Sequence, residues 1–237
     1  MIMKFLAIDI GNYSIKFYEA TWERRRINIL RHEEILLEKA LQNAPKVESI
    51  DALKRAVVKS FLGNEKYEGK IIFSLPFDLF TTRFIEVPVT NLKKAEAMIP
   101  FQLEETLPYS ISQVHLVKSF LKAENKTYAT VAVSPKNEFS KYFHQLENEN
   151  ILPTYLSSEW CAYESYFHER KETGIYALID LGHETSKVYF FKDGRLISLQ
   201  LSYIAGKIIT ENIAQTYQIS FEEAEIYKHH NCFCLTP

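Results

Sequence analysis

Two short stretches place a carboxylate two residues ahead of a glycine: Asp9 and Gly11 in "AIDIGNYSIKFY", Asp180 and Gly182 in "LIDLGHETSKVY". Aligned without a gap, they set Ile8, Asp9, Gly11, Lys16 and Tyr18 opposite Ile179, Asp180, Gly182, Lys187 and Tyr189, at a constant offset of 171 residues (180 − 9). Each glycine falls between two apolar runs of β type, so each sits in the turn of a strand pair. A glycine there lets the backbone approach an anion, and the N–H groups of the turn can then meet phosphate oxygens. The carboxylate just ahead is repelled by phosphate, yet it can hold a water of a hydrated Mg²⁺ ion, which prefers octahedral oxygen ligands and keeps most of its waters. On this reading Asp9 and Asp180 are metal-side carboxylates acting through water. Gly11 and Gly182 allow the close approach, and Ser14, Lys16 and Thr185 contact phosphate. The same spacing also suits two ordinary hairpin turns, where Asp and Gly are common for local reasons.

The elements that must position these loops can be read from periodicity. Strands are expected from Met3, from Ser14 and over "RINILRHEEILL", giving a three-strand meander at the start. Ser49 reads as the cap of a helix that Gly63 stops, and "GKIIFSLP" as a buried strand closed by Pro76. From Arg83 to about Thr154 the order is strand, helix, strand, strand, helix, which suggests an inserted module; its first helix is expected to be interrupted at Pro100 and stopped at Pro108. From Gly174 the opening pattern returns: strand, turn, strand, the turn "KDGR", strand, then a helical stretch over "ITENIAQTYQISFEEAEIYKHH" with Ser220 as a cap. The recurrence of the meander around the second Asp-x-Gly makes the repeat architectural as well as local.

Bulk properties exclude several classes. The 237 residues are 46% hydrophobic and 24% charged, the composition of an ordinary globular chain of one or two domains. The formal net charge of −2 argues against a nucleic-acid binder that relies on phosphate neutralisation, and the "RRR" run at Arg24 to Arg26 reads as a solvated turn. No apolar run reaches the ~18 residues of a bilayer span, and "MIMKFLAIDIG" lacks the apolar core and cleavage site of a secretory signal, so a cytoplasmic protein is expected. Cys161, Cys232 and Cys234 form an odd set and are read as reduced and structural. In "HHNCFC", Cys-x-Cys is one residue short of a zinc knuckle, and no metal is assigned there.

The stretches "IDIGNYSIKFYE", "VPVTNLKKAEAMIPFQLEETLPYSISQVHL", "IDLGHETSKVYFFKDGRLI" and "GKIITENIAQTYQISFEEAEIYK" follow in this order and cover most of the chain. Together they resemble the PilM/GspL family of actin-like ATPase-fold pilus and type II secretion assembly proteins, relatives of the division protein FtsA. The resemblance implies an α/β, actin-like ATPase (ribonuclease H-like) fold. Residues 1–82 would be the first part of subdomain 1A, 83–154 an inserted FtsA-like 1C subdomain and 155–173 a connecting helix of 1A. Residues 174–237 would be subdomain 2A and the start of 2B, an incomplete second lobe. It implies ATP and Mg as cofactors, with Asn12, Tyr13, His183 and Glu184 completing the two phosphate loops. It adds Gly206 in "IAGK", and it matches Glu225 and Lys228 to a glutamate and a lysine that approach ribose and adenine. Glu159 becomes the candidate for positioning or activating water. Two departures stand out: His183 and Glu184 occupy positions where small residues are usual, and Ala205 stands where a second glycine is frequent.

The implied function is a cytoplasmic scaffold or ATP-dependent switch, at most a weak ATPase, held at the inner membrane by a partner. A PilN-like cytoplasmic peptide of that partner would lie in a groove between 1A and 1C, for which Ile99, Phe101, Leu103, Leu107 and Tyr109 are candidate lining residues. Self-association is compatible with such a protein. A nucleotide-free structural protein of the GspL kind would bind its partner without regard to Mg-ATP. A phosphotransferase of the sugar or acetate kinase fold would need polar substrate loops between the lobes, where this sequence carries an inserted module instead.

Overall fold

The computed structural model describes residues 2–24, 26–43, 47–63 and 67–231. Alternating apolar positions build an antiparallel meander of β1 (Met3–Ile10), β2 (Ser14–Glu23) and β3 (Arg26–Leu36). A short helix that periodicity did not reveal, α1 (Leu37–Asn43), follows directly. Next comes α2 (Ile50–Leu62), where the Ser49 hydroxyl accepts from Ala52 N at 3.2 Å and Gly63, at φ 71°, ends the helix as expected. The crossover returns the chain to β4 (Lys70–Ser74), parallel to β1.

The inserted segment starts with β5 (Thr81–Val87), then α3 (Leu92–Glu104), β6 (Val114–Lys122), β7 (Thr127–Pro135) and α4 (Lys136–Asn148). Its sheet has the order β5-β7-β6, and α3 buries Ala95, Ile99 and Leu103 against Val87, Val131 and Val133. The expected interruption at Pro100 does not occur. The proline has no N–H for the Glu96 carbonyl, but the helix runs through it because Ile99 and Leu103 on either side are fully buried. The helix ends at Glu104, ahead of Pro108. The same burial removes Ile99 and Leu103 from any groove, whereas Phe101 and Tyr109 are exposed. Helix α4 bridges two units: Phe139 meets His115 of β6 edge-on at 4.9 Å, while Leu146 packs into the core of the first sheet and Arg55 pairs with Glu149 at 2.7 Å.

Strand β8 (Tyr155–Ser157) then joins β4 in parallel, giving the first sheet the order β3-β2-β1-β4-β8. Helix α5 (Glu159–Glu169) leads to a second meander, β9 (Ile175–Leu181), β10 (Ser186–Lys192) and β11 (Arg195–Ser202). Its second turn uses Asp193 and Gly194 at φ 49° and 77°, the left-handed pair that a two-residue hairpin demands. The final helical stretch is two helices: α6 (Gly206–Tyr217) stops at Gln218 in the left-handed region, and α7 (Phe221–Asn231) restarts behind a Ser220–Glu223 capping box. One apolar cluster, Phe80, Trp160, Tyr189, Phe191 and Leu196, packs α5 between the module and the second meander. The Cys161 thiol is half-buried and free, and burial pushes its pKa up, which suits a reduced structural residue. Arg25, Cys232 and Cys234 lie outside the described residues. Among the described residues no helix is long and apolar enough to cross a membrane.

Candidate functional site

The sequence repeat is also a repeat of hydrogen bonds. Asp9 pairs with Lys16 and Ile10 with Ile15 across the first turn, as Asp180 pairs with Lys187 and Leu181 with Ser186 across the second. Gly11 N donates to Ser14 O at 3.0 Å, and Gly182 N donates to Thr185 O at 3.1 Å. A Cβ on Gly11 would come within 2.9 Å of that Ser14 oxygen, and one on Gly182 within 2.6 Å of the Thr185 oxygen. Glycine is therefore required by the closure of each turn itself, whatever the turn binds.

The two turns face and touch each other. Asn12 Nδ2 donates to Glu184 Oε2 at 2.7 Å, Lys54 Nζ donates to Asn12 Oδ1 at 2.6 Å, and the rings of Tyr13 and His183 lie 5.1 Å apart. Burial lowers the His183 pKa, and Lys228 and Lys207 add to that, outweighing Glu225 and Glu184; the imidazole is neutral at neutral pH. The amino end of α6 rests on the second turn, with Gly206 N donating to Gly182 O at 3.0 Å and Lys207 N to His183 O at 2.8 Å.

Three carboxylates lie behind the turns. Burial raises the Asp9 pKa, and Glu159 and Asp180 push the same way, against Lys16 and the Ser74 hydroxyl. Ser74 Oγ in turn accepts from Ile10 N at 2.8 Å, fixing the end of β1. Tyr163 OH donates to Asp180 Oδ2 at 3.3 Å. Glu159 receives Lys187 Nζ at 2.6 Å on both oxygens and Tyr189 OH at 2.5 Å; the Lys187 ammonium, nearly buried, also lies 4.7 Å from the centre of the Phe77 ring. Burial first, then Glu159, raises the Tyr189 pKa, so the phenol stays a donor.

Glu225 and Lys228 are brought to the rim of the second turn. Lys228 Nζ donates to Glu225 at 2.7 Å, to Thr210 Oγ1 at 2.8 Å and to Gly206 O at 3.3 Å, so the pair ties α7 to α6 beside Gly206. Ser14 is otherwise engaged: its hydroxyl is buried and donates to Glu34 Oε1 at 2.6 Å. Asp9, Gly11, Asn12, Tyr13, Asp180, Gly182, His183, Glu184, Gly206, Glu225 and Lys228 thus surround the space between two facing turns, with Lys16 and Thr185 in the strands and turn that frame it. Sequence reasoning passed over Ser74, Tyr163, Tyr189, Lys187 and Lys54. The signal for Lys187 and Tyr189 was present, since both stand in the repeat opposite Lys16 and Tyr18.

The cleft suits a cation held through water. Asp9 still reaches solvent, is incompletely neutralised and lies near two other carboxylates, and among the described residues no group of three or more His, Cys, Asp or Glu side chains is gathered tightly enough to ligate a metal directly.

A family profile described as type IV pilus assembly protein PilM matches residues 7–234. Among solved structures, the chain superposes on a "PilM-PilN type IV pilus biogenesis complex" with a TM-score of 0.61 at 16% identity, covering 96% of this chain and 68% of that one. It is also similar to the cytoplasmic domain of EpsL, an inner membrane component of the type II secretion system of Vibrio cholerae, with a TM-score of 0.49 at 10% identity over 92% and 77% of the two chains. A protein from Bacteroides thetaiotaomicron described as having an actin-like ATPase fold gives 0.46 at 13% identity over 92% and 78%. The architecture is the actin-like ATPase fold.

Proposed function

Because this chain belongs to the type IV pilus assembly protein PilM family, we propose that it is a cytoplasmic, actin-like switch or scaffold of a pilus or secretion assembly platform, responsive to Mg-ATP and bound to an inner-membrane partner. The observation that carries the nucleotide reading is the pair of facing turns built in identical register, with the amino end of α6 and the Glu225–Lys228 pair at their rim. In this reading the N–H groups of both turns and Lys16 hold phosphates, Asp9 and Asp180 hold waters of Mg²⁺, and Gly206, Glu225 and Lys228 border the nucleoside side. Mg²⁺, when bound, neutralises phosphate charge and orients the phosphates between the turns. Both Glu159 oxygens accept from the Lys187 ammonium and one also accepts from the Tyr189 phenol, so the carboxylate is engaged within the protein rather than held toward a water, and a switch fits better than a rapid ATPase.

The partner reading draws on a groove of about 370 Å³ lined by Val117, Ser119, Trp160, Cys161, Glu164 and Arg195 among others. It lies between β6, which is an edge strand of its sheet, helix α5 and β11. Trp160 is 2% exposed, and its Nε1 has no hydrogen-bond partner among the described residues. An extended tail of the inner-membrane partner, PilN-like in kind, would add to the free edge of β6 and offer an acceptor to the indole.

A second reading, a nucleotide-free scaffold, is favoured by Glu184: its carboxylate and the Asn12 amide already bridge the turns where a triphosphate would enter. Calorimetric titration of Mg-ATP into the chain, with Asp9→Ala and Asp180→Ala beside it, separates the two. Saturable binding lost in both variants supports the switch. No heat from folded wild-type chain removes the nucleotide reading and leaves the scaffold.

A further inference from the structure

The β2–β3 hairpin holds an arginine-bearing tip and an exposed apolar face that the nucleotide cleft does not use. Every residue of β3 from 26 to 32 is exposed. The register sets Met3 opposite Trp22, Trp22 opposite Ile27 and Ala20 opposite Ile29, and directly paired residues share one face of the sheet. Met3, Trp22 and Ile27 therefore form a row across three strands, with Ile29 two residues along; their exposures are 38%, 50%, 66% and 62%. Leu30, 57% exposed, stands at the bulge beside them. The opposite face carries Lys4, Thr21, Glu23, Arg26 and Asn28, so the hairpin is amphipathic.

Charge at the tip is unbalanced. Arg24, at φ 49° in the turn, has a side chain 91% exposed and only a 3.9 Å approach to Glu23, which is also the cross-strand neighbour of Arg26. Two arginines thus flank one carboxylate, and only Arg24 approaches it. Further from the tip the charges cancel in pairs: Lys4 with Glu19 at 2.7 Å, and Arg31 with Glu33. An apolar row on one face, Arg26 on the other and Arg24 at the tip match an interface with hydrocarbon below and phosphate above, where the apolar face lies down and the cations reach the headgroups. Nucleic acid would favour several stacking rings, and Trp22 is the single aromatic in the row.

We propose that this hairpin is a membrane-contact element, with Trp22, Ile27 and Ile29 entering the interface of an anionic bilayer while Arg24 and Arg26 meet headgroup phosphates. Asp9 lies six residues along β1 from Met3, about 20 Å at strand rise, so the contact leaves the cleft open. The inference stands apart from nucleotide binding. It gives the chain its own hold on the membrane, in addition to any partner.

The test is co-sedimentation with vesicles of equal parts phosphatidylglycerol and phosphatidylcholine, against phosphatidylcholine alone, combined with acrylamide quenching of tryptophan. The chain has two tryptophans and Trp160 is buried, so quenching reports Trp22. Expected results are sedimentation with the anionic vesicles, protection of Trp22, and loss of both in Ile27→Ser/Ile29→Ser. Arg24→Glu/Arg26→Glu should lower partitioning at least about fivefold per charge. Circular dichroism shows that the variants stay folded. Absence of sedimentation at low salt overturns the proposal, as does sedimentation with Trp22 still fully quenched. So does binding to duplex DNA without vesicle binding, or a wild-type dimer that the Ile27→Ser/Ile29→Ser variant loses and that ignores vesicles.

Discussion

Asn12 and Glu184 meet side chain to side chain at 2.7 Å although 172 positions separate them, so one hydrogen bond joins the turn of the first meander to that of the second. Glu184 is also a negative charge facing the space where phosphates would lie. Glu184→Gln keeps a partner for Asn12 and removes the charge. If the switch reading holds, Mg-ATP should bind about fivefold more tightly to this variant, since removing one partly exposed like charge contributes about 1 kcal/mol. Calorimetry on both proteins measures it, and weaker binding in the variant would mean that the carboxylate helps to hold the cation.

The Glu159–Lys187 pair predicts a stability effect. Lys187 is nearly buried, its ammonium rests on Glu159 and over the Phe77 ring, and Tyr189 donates to the same carboxylate. Glu159→Ala leaves that charge unpaired and should cost about 3 kcal/mol, whereas Glu159→Leu with Lys187→Met should recover most of it, because desolvation is then no longer required of either ion. Urea unfolding of the three chains checks this. Equal stability of all three would mean that Lys187 turns out to solvent.

How much was legible in the sequence follows from the range of each interaction. Gly11 and Gly182 were readable because a turn makes a local demand that only a few residue types meet, and the demand recurs at a fixed offset. The Ser49 and Ser220 caps and the left-handed Asp193–Gly194 turn were local in the same way. Helix α3 was misread at Pro100 because the force that carries it onward, burial of Ile99 and Leu103 on a sheet formed elsewhere, is tertiary. The Glu159–Lys187 pair joins a helix to a strand 28 residues away, which no periodicity records. Lys187 was visible only as the counterpart of Lys16, and the counterparts diverge: Tyr189 is buried on Glu159, while Tyr18 is half-exposed against His32.

Closure of the two turns should tolerate alanine unequally. A methyl on Gly182 would stand 2.6 Å from the Thr185 oxygen, one on Gly11 2.9 Å from the Ser14 oxygen, and in both cases the obstacle is backbone. Gly182→Ala should therefore destabilise more than Gly11→Ala, with costs in the range of about 1–3 kcal/mol. Thermal unfolding ranks them, and a reversed order would show that the second turn relaxes freely.

The α6–α7 network makes a pH prediction. Burial alone would raise the Glu225 carboxyl, but hydrogen bonds from Lys228 and Thr210 hold it below the ordinary glutamate value of 4.5. A depressed folded value means stability that is fully present above that ordinary value and is lost as pH falls through the lower, folded one. The gap in urea midpoint between wild type and Glu225→Gln should hold at pH values above the ordinary glutamate range and narrow as the pH is taken below it. A gap that persists in acid would assign it to packing.

The groove beside β6 predicts how a partner's tail is held, if the partner reading is right. Glu164 is 5% exposed and fully occupied: Ser119 Oγ donates to Oε2 at 2.8 Å, and Leu196 N to Oε1 at 2.8 Å. It therefore fixes the groove floor, joining the module to β11, while the Trp160 indole N–H is left for an incoming acceptor. Trp160→Phe deletes that donor and keeps most of the ring, so a fluorescent peptide of the partner's tail should lose about 1 kcal/mol of affinity, roughly fivefold, with little change in stability. Glu164→Gln should instead lower stability, because a buried carboxylate that accepts on both oxygens is replaced by an amide that accepts on one. Anisotropy titrations and melting curves on the same two variants separate the roles; a peptide affinity unmoved by Trp160→Phe would place the tail elsewhere on the module.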